Sequence, residues 1–344
     1  MQSAEARQWY RRFGPTGPGA PEPVFVEKGE GAWLFAAAGE KLLDFVSGGS
    51  TPLCHNHPDI ARILGQVGHA PGLDGAATPG EVALMHKLAE LVPGGMNRRV
   101  LVCESGREAL ARAIELARIQ TNRSGVTYLY QSSEGMPAVG RDVAAVVAHP
   151  LDGRIKHARE ACNSAGALLI DDEAGVGPGA AGQMLAIELS DVRPDIHVLG
   201  RGWAAGFPFG ACVTGSSEMR WKSATAANPV GCALALETIR LLEAGLLERA
   251  RKLAVHMEKR FGPLTSARLH PELHGTGFVR TIAFLGGRGA AGGVVEKCRE
   301  RGLLLQALTA DTVAVRPPLV VTERDIDFGA EVLGKVLAGF DKKA

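Results

Sequence analysis

No uninterrupted apolar stretch of this 344-residue chain approaches the roughly 20 residues that span a bilayer. Net charge is almost absent too: 38 Lys and Arg against 37 Asp and Glu leave a formal +1. Neither nucleic acid nor an anionic membrane is therefore expected as a partner. The opening MQSAEARQWYRRFG has charges but no apolar h-region, so it reads as an arm or short helix rather than a secretory signal. The six cysteines, Cys54, Cys103, Cys162, Cys212, Cys232 and Cys298, never form CxxC. That argues against a zinc site or a disulfide framework and fits a reducing cytoplasm. His55 and His57 alternate without a third ligand, so they read as the turn before a helix with Pro58 in its first turn, and no metal is expected.

What is present is organised around Ala167 to Gly210. An apolar run, Ala167 to Ile170, ends at Asp171-Asp172-Glu173 and a glycine-rich turn; a second, Ile196 to Leu199, leads to Gly200-Arg201-Gly202. Two buried strands that each stop at a charge beside glycines mark an α/β ligand site, because polar groups collect where the backbone leaves the sheet.

Along the rest of the chain, prolines and glycines make 12–30 an extended, surface-wrapped segment. A hairpin is expected over Ala32–Phe35 and Lys41–Phe45, strands at Arg99–Cys103 and Val143–Val147, and helices at Glu81–Val92 and Arg154–Ser164. Ser105 and Glu108 have capping-box spacing and open a helix through Gln120. Pro229–Phe261 is a long helical region broken at Gly245. From Gly275 the pattern becomes a small α+β unit: strands at Phe278–Phe284, Leu303–Gln306 and Val313–Val315, a helix at Ala291–Arg301, and a closing helix at Thr322–Phe340.

Two phosphate-type signals compete. Gly177-Pro178-Gly179-Ala180-Ala181-Gly182 is a literal GxGxxG, but three acidic residues precede it and only the short QMLAIELS segment follows. Nucleotide binding there is the weaker reading. The helix start at Ser105, Gly106 and Arg107 offers free N–H groups, a macrodipole and a positive charge to an anion.

Nearly the whole chain resembles the class III, pyridoxal-phosphate-dependent aminotransferases of fold type I. LCHNHP is similar to that family's LGHxHP, CESGREALARAIELAR to NSGTEAxExAxKxAR, LLIDDEAGVGPGAAGQM to LLIxDEVQTGFGRTGxM, and PDIHVLGRGWAAGFPFGA to PDIxxxGKGxxGGxPxGA. ANPVGCALA and VAVRPPLVVTERDID resemble its GNPxxxAA and RxxPPLxxxxxEID. The resemblance implies an α/β fold with a mainly parallel sheet in a large domain and a smaller α+β C-terminal domain. It divides the chain into an arm and hairpin at 1–45, a large domain at 46–235 shortened near 124–142, and a small domain at 236–344. It also implies a dimer, with itself or with an aminotransferase paralogue.

The departures fall on the chemistry. Arg201 stands where the resemblance implies the lysine that binds the cofactor, and a guanidinium stays protonated and cannot form a Schiff base. Asp172 stands at the aspartate that pairs with the pyridine nitrogen. Ala174 and Gly175 replace the valine and glutamine around the ring, and His149 replaces a glutamate, with a ring expected to titrate near neutral pH. Thr225 lies one step from the phosphate-binding threonine position, Arg316 two residues from the substrate-carboxylate arginine. The aromatic that stacks on the cofactor has no counterpart in YLYQSSEG. The resulting expectation is a protein without transamination and without covalent pyridoxal phosphate, serving as a ligand-binding or partner subunit, with Arg201 paired to Asp172 or splayed outward. Ser105, Gly106, Arg107, Asp172 and Thr225 would hold any phosphorylated molecule, and Arg316 a substrate carboxylate. Two rivals stay open: an active or repurposed enzyme, with Lys222 as a substitute amine or with His149, Asp172 and Arg201 acting directly, and the nucleotide binder.

Overall fold

A computed structural model describes residues 3–15, 23–53, 55–67, 77–93, 96–131, 135, 137–216, 221 and 227–342. Helix α1 (Ser3–Phe13) leads into an antiparallel run of β1 (Val26–Glu30), β2 (Trp33–Ala36) and β3 (Lys41–Asp44). Then come α2 (Pro58–Val67), α3 (Pro79–Leu91), β4 (Val100–Cys103), α4 (Gly106–Thr121), β5 (Gly125–Tyr128), β6 (Val143–Ala148), α5 (Ile155–Ala165), β7 (Leu168–Glu173), β8 (Ile196–Leu199) and β9 (Gly210–Thr214). Helices α6 (Pro229–Leu241) and α7 (Leu247–Phe261) are separated by a π turn in which Gly245 takes φ 116°. That is a conformation a side chain resists, and it breaks the helix where the sequence implied. The chain closes with β10 (Pro271–Thr276), β11 (Val279–Phe284), α8 (Ala290–Arg299), β12 (Leu303–Leu304), β13 (Gln306–Ala307), β14 (Thr312–Val315) and α9 (Glu323–Asp341).

The central sheet has the order β4-β9-β8-β7-β6-β5. Strands β5 to β8 are parallel, while β9 runs antiparallel to both its neighbours. Every residue of β6 (VAAVVA) is buried, as a strand covered on both faces requires. On one face α4 presents Ala109, Ala113, Leu116 and Ala117, one stripe of a 3.6-residue helix, to Val147, Ile170 and Val198. The other face packs Val146, Leu169 and Leu199 beneath α3, α5 and α6. Of two smaller sheets, β1-β2-β3-β12 joins the ends of the chain and β10-β11-β14-β13 is built from its C-terminal part alone. There β12 pairs in parallel with β3, and Phe45 packs on Phe261 with ring centroids 6.1 Å apart.

Four strands were not expected from the sequence: β1, inside the segment read as extended, β5, β9 and β10. The boundary of β7 also moves. The expected run stopped at Ile170, yet the strand continues through Asp171, Asp172 and Glu173. The carboxylates are tolerated because partners wait for them. Asp171 meets His197 on β8 at 3.0 Å, and Glu173 accepts the N–H groups of Ala186 and Ile187 at 2.9 Å each. Among the described residues no helix is long and apolar enough to cross a membrane.

Candidate functional site

The carboxyl ends of β7 and β8 and the start of α4 converge because three glycines leave no side chain between them. A Cβ on Gly106 would stand 2.6 Å from the Ala174 Cβ, one on Gly200 2.2 Å from the Ala174 carbonyl oxygen, and one on Gly210 2.1 Å from the Ser105 oxygen. Gly200→Ala is accordingly expected to cost about 1–3 kcal/mol or more in a urea titration, since backbone cannot yield as a side chain does. An unchanged midpoint would contradict this close approach.

Ser105 caps α4, its Oγ accepting the Glu108 N–H at 3.1 Å. The return half of the expected capping box is displaced by one residue: the Glu108 carboxylate accepts the N–H of Glu104, at 3.0 Å, not that of Ser105. Gly106 opens the helix, and Arg107 stands exposed one residue on. Asp172 lies on the α4 side of β7 by strand alternation. It is half-buried, its Oδ1 accepts the Ala174 N–H at 3.1 Å, and burial raises its carboxyl above the usual range.

Arg201 begins a 3-10 turn, Arg201–Ala204, pinned by the fully buried Trp203. Its exposed guanidinium reaches out of the sheet and donates to the Ser50 hydroxyl at 2.9 Å. Among the described residues no ion pair joins it to Asp172, so of the two expected placements the outward one is found. Ser50 supplies an acceptor without burying either charge, which a pair with half-buried Asp172 would have required.

His149 follows β6 directly and is half-buried, its Nδ1 accepting the Leu151 N–H at 3.2 Å. Burial and the nearby Arg316 charge depress its pKa. That shift, downward from the ordinary 6.5, favours the neutral ring. Arg316 follows β14, its N–H donating to the Phe45 carbonyl at 2.7 Å and its carbonyl accepting the Gly48 N–H at 2.9 Å. Its buried Nε has no hydrogen-bond partner, and burial lowers its pKa. Thr225 and Lys222 lie outside the described residues.

One residue passed over in the sequence stands at this site. Tyr130, 47% exposed, packs on Tyr128 with centroids 5.6 Å apart. Its phenol pKa is raised by burial and by the nearby Asp172 carboxylate. An aromatic therefore does stand at the carboxyl edge of the sheet near Asp172, although YLYQSSEG shows none of the family pattern. The signal was a tyrosine just beyond a parallel strand.

The Gly177–Gly182 turn has another use than phosphate. A Cβ on Gly177 would stand 2.9 Å from the Gly49 oxygen, so this glycine permits two loops to touch. The element that follows is the four-residue 3-10 turn Ala186–Leu189, with no helix to supply the N-terminus a pyrophosphate needs.

At position 201, where the resemblance implies the cofactor-binding lysine, the side chain is a guanidinium that donates to Ser50 and offers no amine for a Schiff base. The capped start of α4 and Asp172 remain. Comparison with known proteins gives the lineage. The acetylornithine aminotransferase of Methanothermobacter thermautotrophicus is 28% identical over 92% of this chain and 94% of its own length. The 5-aminovalerate aminotransferase of Pseudomonas putida is 26% identical over 94% and 96%. Among solved structures, an S-selective transaminase from Arthrobacter sp. shares the fold with a TM-score of 0.87 at 19% identity, covering 100% of this chain and 99% of that one. The acetylornithine aminotransferase from Elizabethkingia anophelis gives 0.85 at 22% identity, covering 98% and 99%. The profile of the family described as Aminotransferase class-III matches residues 17–135 and 143–337, passing over only 136–142 within the stretch read as shortened, and the chain belongs to that family.

Proposed function

We propose that this class III aminotransferase-fold protein has given up transamination and uses the former cofactor pocket to bind an anionic small molecule. One observation carries the reading: the residue at the Schiff-base position is Arg201, with its guanidinium turned outward onto Ser50. A guanidinium neither condenses with an aldehyde nor returns a proton at working pH. The loss of ring contacts at Ala174 and Gly175 supports it. A two-chain assembly, with itself or with an active paralogue, and a cytoplasmic location belong to the same proposal.

The test is direct. The purified chain, incubated with pyridoxal phosphate and treated with borohydride, is expected to show no stable adduct by mass and no visible band that borohydride abolishes. A reducible band with a single modified side chain would overturn the reading and favour an active enzyme.

A further inference from the structure

We infer that the cleft between the β2–β3 hairpin and α8 is a second ligand site, built for a free α-amino acid with a large apolar side chain. Its walls come from β2, β3, α8, β13 and α9, and it shares none of its lining residues with the site around Asp172 and Arg201. At about 1340 Å³ it has room for such a ligand and for water bridging it to the rim.

Helix α8 gives the site its pattern. Gly292, Val295, Glu296 and Arg299 line the cleft at spacings of three and four, one face of the helix. Glycine weakens a helix, and no atom lies within 4 Å of where a Gly292 Cβ would stand, so no packing contact accounts for it. Its effect is to leave a side-chain-sized space in the cleft wall. Glu296 and Arg299, three apart on that face, are placed where opposite charges ordinarily pair. Among the described residues neither makes an ion pair within 4 Å, nor do Glu40 and Lys41 on the hairpin side; of the lining charges only Glu300 and Arg301 pair, at 3.6 Å. Unpaired charges of both signs beside an apolar wall match a zwitterion with an apolar body. Neither a simple cation nor a simple anion satisfies both.

The apolar wall is aromatic and fixed. Trp33 is tied through Nε1 to Asp325 at 2.9 Å, stands against Phe328 with ring centroids 5.5 Å apart, and has the Lys41 ammonium 4.2 Å from its centroid. Ala307 adds backbone recognition. Leu308 donates to the Thr312 carbonyl at 2.8 Å, so that pair is hydrogen-bonded and the next, Ala307 with Val313, is not. The N–H and C=O of Ala307 therefore turn away from β14, to the open edge of the sheet. One donor and one acceptor on one residue suit the carboxylate and the ammonium of a single amino acid. A peptide strand would need a longer edge than the two residues of β13.

Calorimetric titration of the full chain with L-phenylalanine, phenethylamine and hydrocinnamate tests this. L-Phenylalanine is expected to bind, and the two analogues, each lacking one of its charges, at least about tenfold more weakly. Glu296→Gln and Arg299→Gln are each expected to weaken L-phenylalanine at least about fivefold. Gly292→Leu is expected to abolish binding while raising the melting temperature, since leucine favours the helix that glycine weakens. Arg201→Gln stays within about twofold, because the two sites are separate. Absence of L-phenylalanine binding in the natural chain, equal affinity for the three ligands, or a folded Gly292→Leu variant with natural affinity would each overturn the site. Loss of binding in Arg201→Gln would place the ligand in the other pocket and overturn it too.

Discussion

Arg201→Lys is expected to be modified by pyridoxal phosphate at residue 201, identified by borohydride trapping and peptide mass, where the natural chain is expected to stay unmodified. The seat around that position survives in the backbone. Gly200 lies against the Ala174 carbonyl, Gly106 against the Ala174 side chain, and Asp172 faces the start of α4. Trp203, fully buried beneath the turn, fixes the residue two places before it. A lysine there would present a primary amine, the group that condenses with an aldehyde, from the same Cα. The expected contrast is from background to nearly complete modification at one site. If Arg201→Lys labels no better than the surface lysines, the seat has been lost along with the lysine. Ala174 and Gly175 leave the ring poorly supported, so weak catalysis, if any, is expected from the variant.

The parts of this fold that could be read in advance were those governed by local rules. Continuous apolar runs announced β6 and β8, Ser105 and Thr322 announced two helix starts, and Gly245 announced a break. The parts that could not depend on residues far apart in the chain. VEKGE in β1 is mostly exposed and shows no alternation, so only its pairing with β2 makes it a strand. GACVT in β9 is short and follows Phe207-Pro208, and its place between β4 and β8 comes from both neighbours. Asp and Glu disfavour strands, which hid the last half of β7 until His197 and the Ala186 and Ile187 amides were seen beside it. The site divides in the same way. Asp172, Ser105 and Arg201 stand in recognisable motifs, but the Ser50 partner of Arg201 is 151 positions away.

The buried Asp171–His197 pair, one residue behind Asp172, is expected to govern how stability varies with pH. The two side chains are 0% and 1% exposed and 3.0 Å apart. Burial pushes Asp171 well above its ordinary 3.8 and pushes His197 down from 6.5 to about 3. Both directions describe an uncharged pair, with Asp171 holding the proton and His197 Nδ1 accepting it. Between 3.8 and 6.5 the folded pair binds one proton on Asp171 and the unfolded pair one on His197, so this pair gives no slope there. Above 6.5 the unfolded histidine loses its proton, and the folded state binds one more for as long as Asp171 keeps its own. The folded state then holds more protons, and stability falls with rising pH by about 1.4 kcal/mol per unit until Asp171 ionises in place. Below 3.8 the unfolded chain binds the extra proton, and stability falls again until His197 is protonated near 3. Glu173, raised by burial and by Asp171, acts with the same sign from its ordinary 4.5 upward. His197→Leu alone leaves the Asp171 hydroxyl unpartnered and should cost about 1–3 kcal/mol. Asp171→Leu with His197→Leu should recover most of that loss, because two apolar groups of suitable size leave nothing unsatisfied. Urea titrations at about pH 5 and about pH 8.5 decide the matter: the natural chain should lose stability between them, and the double variant much less. Equal losses in both proteins would mean that the pair is an ion pair or that the alkaline limb belongs to other groups.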